Sequence, residues 1–87
     1  MPHRQTEVLP DFEENRQRLT RRNRALDEQI ADRIEKIQNQ LDFSFRHFRH
    51  APSCKHYKLV GKTGLAIIVN LEDGAMVLED IMDESEI

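Results

Sequence analysis

The sequence predicts an α+β fold in which an αα-hairpin packs on a small antiparallel β-sheet. Three observations predict it. An unbroken apolar stripe at helical spacing, Leu26, Ile30, Ile34, Ile37 and Leu41, runs through the first half. The apolar residues of the second half alternate or form short β-branched runs, as strands do. A Glu72-Asp73-Gly74 step then divides that half at a hairpin turn.

In chain order, His3 to Leu9 alternates weakly and predicts a short edge strand that Pro10 ends. Pro10 or Asp11 opens the first helix. Glu13 and Glu14 lie in its first turn, where the helix dipole favours negative charge. Phe12 and Leu19, two turns apart, give this helix a thin apolar face. Arg16, Arg18, Arg21, Arg22 and Arg24 follow towards its other end and form a solvated basic face. Asn23 is the expected N-cap of a second helix, Arg24 to about Leu41, with no Gly or Pro inside it. Asp32 and Lys36 stand in the favourable acid-first i,i+4 order.

After Leu41 the period changes. Phe43, Phe45 and His47 alternate with Ser44 and Arg46, and Pro52 marks a loop. Tyr57, Leu59 and Gly61 alternate with Lys58 and Val60, which predicts a strand. Lys62-Thr63-Gly64 reads as a turn, Leu65 to Val69 as a central strand, and Ala75 to Ile81 as its returning partner. The helical stripe is expected to pack on Phe45, Leu59, Ile67, Val69 and Leu78.

At 87 residues the chain is expected to form one domain, residues 1–87, with one modest core. Hydrophobic residues make up 38% and charged residues 33%, so folding alone is marginal and a dimer or hetero-oligomer is expected. The single cysteine excludes an internal disulfide, and the opening residues contain no apolar h-region. A cytoplasmic protein that does not enter the membrane is the expectation. Charge is divided unevenly. Residues 1–62 hold all 13 Lys and Arg with 9 acids, a net of +4, whereas residues 63–87 hold only acids and net −7. The basic body can attract nucleic acid, and the acidic end repels it.

The segment Arg46 to Lys62 holds three of the four histidines, the only cysteine and the only tyrosine. Arg46, Arg49, Lys55, Lys58 and Lys62 accompany them without one carboxylate. Cations at this density are too costly to bury, so the segment is expected to bind an anion. Its histidines and tyrosine can move protons or stack on bases. His47, His50, Cys54 and His56 also fall within ten residues, but their spacing matches no standard zinc motif, and the cations around them oppose a dication. No metal or other cofactor is expected. Cys54 reads as a small, partly buried residue rather than a nucleophile.

The order of elements, together with His50-Ala51-Pro52-Ser53-Cys54-Lys55-His56-Tyr57-Lys58-Leu59-Val60-Gly61-Lys62, resembles the RelE/ParE superfamily of bacterial toxin–antitoxin systems. The ending Val77-Leu78-Glu79-Asp80-Ile81-Met82-Asp83-Glu84-Ser85-Glu86-Ile87 is similar to the last strand and tail of one branch. The resemblance implies a RelE-like fold and a toxin that cuts ribosome-bound mRNA without a metal, held by a cognate antitoxin protein. Such cleavage needs a base, an acid and cations for the developing charge. On this resemblance His50, His56, Tyr57 and Glu84 are the catalytic candidates, Glu84 standing where the family's tail carries a histidine. Arg46, Arg49, Lys55, Lys58 and Lys62 are the RNA-binding candidates.

Two other functions fit the same resemblance. Leu65 to Leu71 contains no cation, where family members carry an arginine. A toxin-fold binding module that has lost catalysis, and pairs with an antitoxin or with itself, accounts for that departure. A gyrase-directed toxin of the ParE kind shares the fold but needs no nuclease site.

Overall fold

The computed structural model describes residues 5–39, 48–52, 55–72 and 75–87. Leu41, Phe43, Phe45, Arg46, His47, Cys54 and the Asp73-Gly74 turn lie outside these residues, as do His3 and Arg4 of the first expected strand.

The chain is an α+β protein with two helices and one five-stranded sheet. Its elements are β1 (Thr6–Val8), α1 (Pro10–Leu19), α2 (Arg24–Gln38), β2 (Arg49–His50), β3 (His56–Leu59), β4 (Leu65–Glu72) and β5 (Ala75–Asp83), closed by a 3₁₀ turn at Glu84–Glu86. Pro10 stands at the start of α1 with Asp11 and Glu13 in the first turn and Arg16 and Arg18 in the last. This is the charge order that the helix dipole favours. Asn23 caps α2, its side-chain oxygen accepting from the Leu26 amide at 3.1 Å. Between the helices Arg22 takes a left-handed backbone, φ 62°, which reverses the chain in a few residues. An Arg16–Asp27 ion pair at 2.9 Å ties the two helices across this turn.

The strand order is β1-β5-β4-β3-β2. Strands β2 to β5 pair antiparallel, but β1 runs parallel to β5, with Thr6 opposite Met76 and Val8 opposite Leu78. The sheet is therefore mixed, not wholly antiparallel as expected. After the helical hairpin the chain enters the sheet at the far edge and meanders back, so its last strand meets its first in the same direction. A weakly alternating three-residue strand does not announce that partner.

One face of the sheet carries the helices. Phe12, Ile30 and Ile37 pack there on Val60, Ile67, Val69, Met76, Leu78 and Ile81, with Leu26 and Ile34 partly buried at the margin. The other face holds a smaller cluster, Ala51, Tyr57, Ala66 and Ile68, with Leu59, Met82 and Ile87 beside it. Leu59 was expected beneath the helices, and this corrects it. Strand parity places Tyr57 and Leu59 together, so Lys58 and Val60 take the helix face. Leu65 to Val69 are all buried, lying under the helices on one face and within the small cluster on the other, helix-free face. In β5, Ile68 opposes Asp80 while Val69 opposes Leu78, so Glu79 is an extra bulged residue. The bulge lets Leu78 and Ile81, three apart, share the helix face. No helix among the described residues is long and apolar enough to cross a membrane.

Candidate active site on the open sheet face

The site begins with the tail. Asp83 ends β5 and caps the next turn, its Oδ1 accepting from the Ser85 amide at 2.9 Å and the Ser85 hydroxyl at 2.7 Å. These bonds hold the Asp83 carboxyl below the usual carboxylate range. The Glu84 amide donates to the Gly64 carbonyl at 2.8 Å. Gly64 has φ 83°, a conformation open to glycine but strained for other residues. The tail is thereby folded back over the open face.

There Glu84 meets β3 and β2. The Tyr57 hydroxyl donates to Glu84 Oε2 at 3.0 Å. Arg49, directly opposite Tyr57 in the sheet register, places Nη1 3.5 Å from the same oxygen. The Tyr57 ring is buried on the sheet, while the Arg49 side chain is 62% exposed and that of Glu84 37%. A phenol, a carboxylate and a guanidinium thus converge at a point that solvent reaches. The hydrogen bond to Glu84 is the main cause of a raised Tyr57 pKa, with burial and the Glu84 charge adding to it and Arg49 opposing it. Tyr57 accordingly stays protonated at neutral pH.

Next to this trio, Lys55 Nζ lies 2.6 Å from Glu79 Oε1. That hydrogen bond and the Glu79 charge raise the Lys55 pKa. A cavity of about 530 Å³ opens alongside, between Lys55, Ile68, Glu79, Met82 and Ile87. A larger cleft of about 800 Å³ lies at the tip of the helical hairpin, between Glu13, Arg16 and Asp27, far along the chain from these groups.

The histidines belong elsewhere. His50 and His56 pair across β2 and β3, ring centroids 4.9 Å apart and tilted by 38°. Side chains of successive strand residues point to opposite faces, so His50 and His56 lie across the sheet from Arg49 and Tyr57. Lys58 shares the histidine face. Its ammonium sits 5.0 Å from the centroid of the Phe48 ring, and burial followed by the Arg33 charge lowers its pKa. Lys62 is exposed in the turn after β3.

The four expected proton-transfer residues therefore divide into two pairs, Tyr57 with Glu84 and His50 with His56. Of the expected RNA-binding cations, Arg49 and Lys55 reach the open face, Lys58 the helix face, and Arg46 lies outside the described residues. Among the described residues, no cluster of His, Cys, Asp and Glu is placed to hold a metal ion. Sequence reasoning missed Glu79 and Arg33. The Leu78-Glu79-Asp80-Ile81 step, two acids between apolar residues at broken parity, is the signal of the bulge that aims Glu79 at Lys55. Arg33 flanks Ile30 and Ile37 on the helical wheel, one position from the core stripe.

No protein-family model, curated protein or solved structure matches this chain.

Proposed function

We propose that this chain is a toxin-type domain of RelE-like fold and a metal-independent endoribonuclease that acts on ribosome-bound mRNA. The observation that carries the reading is the convergence of Tyr57, Glu84 and Arg49 on one exposed point of the open sheet face. The order of a strand, two helices and an antiparallel meander supports it, as the order that the resemblance implies.

The three groups suit attack by a ribose 2′-hydroxyl on its own 3′-phosphate. The Glu84 carboxylate takes the hydroxyl proton as the 2′-oxygen bonds to phosphorus. Tyr57 donates its proton to the 5′-oxygen as the phosphorus–oxygen bond breaks, leaving a 2′,3′-cyclic phosphate and a free 5′-hydroxyl. Arg49 balances the charge that gathers on the phosphoryl oxygens. The Tyr57–Glu84 bond is the resting arrangement that substrate opens.

A second reading has its own observation. Arg49 and Lys55 are each matched by a carboxylate, Glu84 and Glu79, so the positive charge of the open face is balanced from within. A binding module that holds a cognate antitoxin, or a second copy of itself, uses such a face without cutting RNA.

The experiment incubates the purified chain with ribosomes and end-labelled mRNA in the presence of a chelator. Cleavage that leaves cyclic phosphate ends, and that falls by about 10²–10⁴ in Tyr57→Phe or Glu84→Gln, supports the nuclease. No cleavage by the unaltered chain, with a tight protein complex still formed, overturns it in favour of the binding module.

A further inference from the structure

The helix face of β3 holds a cation that the trio on the open face does not use. Lys58 is partly buried between the sheet and α2, and partly buried lysines ordinarily find a carboxylate. Among the described residues Lys58 meets none. Its neighbours are the Phe48 ring and a second cation, Arg33 of α2, whose charge adds to burial in lowering the Lys58 pKa. Arg33 likewise forms no ion pair among the described residues.

The surroundings extend this pattern along a line. Positions 29, 33 and 36 follow the i, i+4, i+7 spacing of one helix flank, and they are Gln29, Arg33 and Lys36, with no acid among them. Gln29 and Arg33 of that flank lie towards β3 and the turn beyond it. Arg33 acts on Lys58, and a Cβ placed on Gly61 would lie 3.4 Å from Gln29 Oε1. Lys62 follows Gly61 in the same turn. Of the α2 carboxylates, Asp27 pairs with Arg16 of α1, Glu28 with Arg24 and Asp32 with Lys36, so the Lys36 charge is matched within the helix and none of the three reaches Arg33 or Lys58. At the other end of the line stand His50 and His56. Lys58 and Arg33 repel one another, neither paired with a carboxylate among the described residues, and a bound anion relieves that repulsion.

We infer that the seam between α2 and β3 is a phosphodiester-binding strip, in which Arg33, Lys58 and Lys62 hold the backbone of a single-stranded RNA. The inference rests on the ribonuclease reading for its ligand. A strand cut at Tyr57, Glu84 and Arg49 passes over the β2 edge, a two-residue strand, and its flanking phosphates continue along the seam. His50 and His56 stand at that crossing and offer stacking surfaces to the nucleotide there. The strip positions RNA and takes no part in the bond-breaking step.

The test measures binding of a fluorescent single-stranded oligoribonucleotide by anisotropy over a salt series. It uses Glu84→Gln as the background so that the probe stays whole. Arg33→Gln and Lys62→Gln should each weaken binding and lower the log–log salt slope by about 0.7. Arg18→Gln, at the far end of the helical hairpin, should leave both unchanged. Inorganic phosphate is the second probe, and it should displace the oligonucleotide only weakly. Oligonucleotide binding unchanged by Arg33→Gln and Lys62→Gln overturns the strip, as does equal affinity for inorganic phosphate. The two readings fail separately. Cleavage that needs Tyr57 and Glu84, with RNA binding indifferent to Arg33, removes the strip alone. Arg33-dependent binding by a chain that never cuts RNA leaves the strip and removes the nuclease.

Discussion

The Tyr57 hydroxyl donates to Glu84 Oε2 at 3.0 Å, joining β3, the second strand in from the sheet edge, to the folded-back tail. Twenty-seven residues separate the two in sequence. The bond places the only tyrosine of the chain in a distinctive environment, and with no tryptophan present its absorbance can be followed cleanly.

Tyrosine titration is the first prediction. Because the bond to Glu84 is the largest cause of the shift, the phenol should ionise above the ordinary value of about 10. Glu84→Ala should bring the midpoint back towards that value. A folded pKa above the unfolded one means that this stabilisation is complete below about pH 10 and is lost as pH rises through the raised value. An ordinary midpoint in the unaltered protein contradicts the arrangement.

Core truncations should rank by burial. Ile30 and Ile67 are fully buried, so Ile30→Ala and Ile67→Ala should each cost about 2–5 kcal/mol in denaturant unfolding. Ile34 is only partly buried at the edge of the same cluster, and Ile34→Ala should cost less. The reverse ranking would mean that α2 presents a different face to the sheet.

Capping offers a local test. Asn23→Ala removes the acceptor of the Leu26 amide and should destabilise the fold by about 1 kcal/mol, while Asn23→Gly should cost only a few tenths. No loss from Asn23→Ala would show that the side-chain oxygen is not the stabilising element.

Lys58 should oppose folding. Burial and Arg33 lower its pKa, so the native state holds fewer protons than the unfolded chain between the lowered value and about 10.4. The Lys58 contribution therefore makes stability rise with pH through that window. Lys58→Met, which keeps the packing stem, should raise the melting temperature at neutral pH and abolish the rise. A drop in melting temperature would show that the ammonium is stabilised in place.

The local elements were legible because their causes are local. Pro10 and the early acids mark the start of α1, Asn23 caps α2, and Ile30 and Ile37 recur on one face of it. The β-branched run of β4 and the alternation of β3 likewise depend only on neighbours in the chain. Arg49, Tyr57 and Glu84, which converge on the open face, were all among the residues that the sequence singled out.

Which of these residues meet was decided by the tertiary structure. A strand repeats every two residues, so one step of register or one bulge exchanges every side chain between faces. The pairing of β3 with β2 and β4 placed Tyr57 and Arg49 on the open face, and His50, His56 and Lys58 on the other. The Glu79 bulge aimed a carboxylate at Lys55, and the tail's return past Gly64 delivered Glu84 to Tyr57. The parallel seat of β1 beside β5 arose in the same way, from a contact between the two ends of the chain. Composition and periodicity determine what each segment becomes, whereas contacts between distant residues determine which chemical groups share a face.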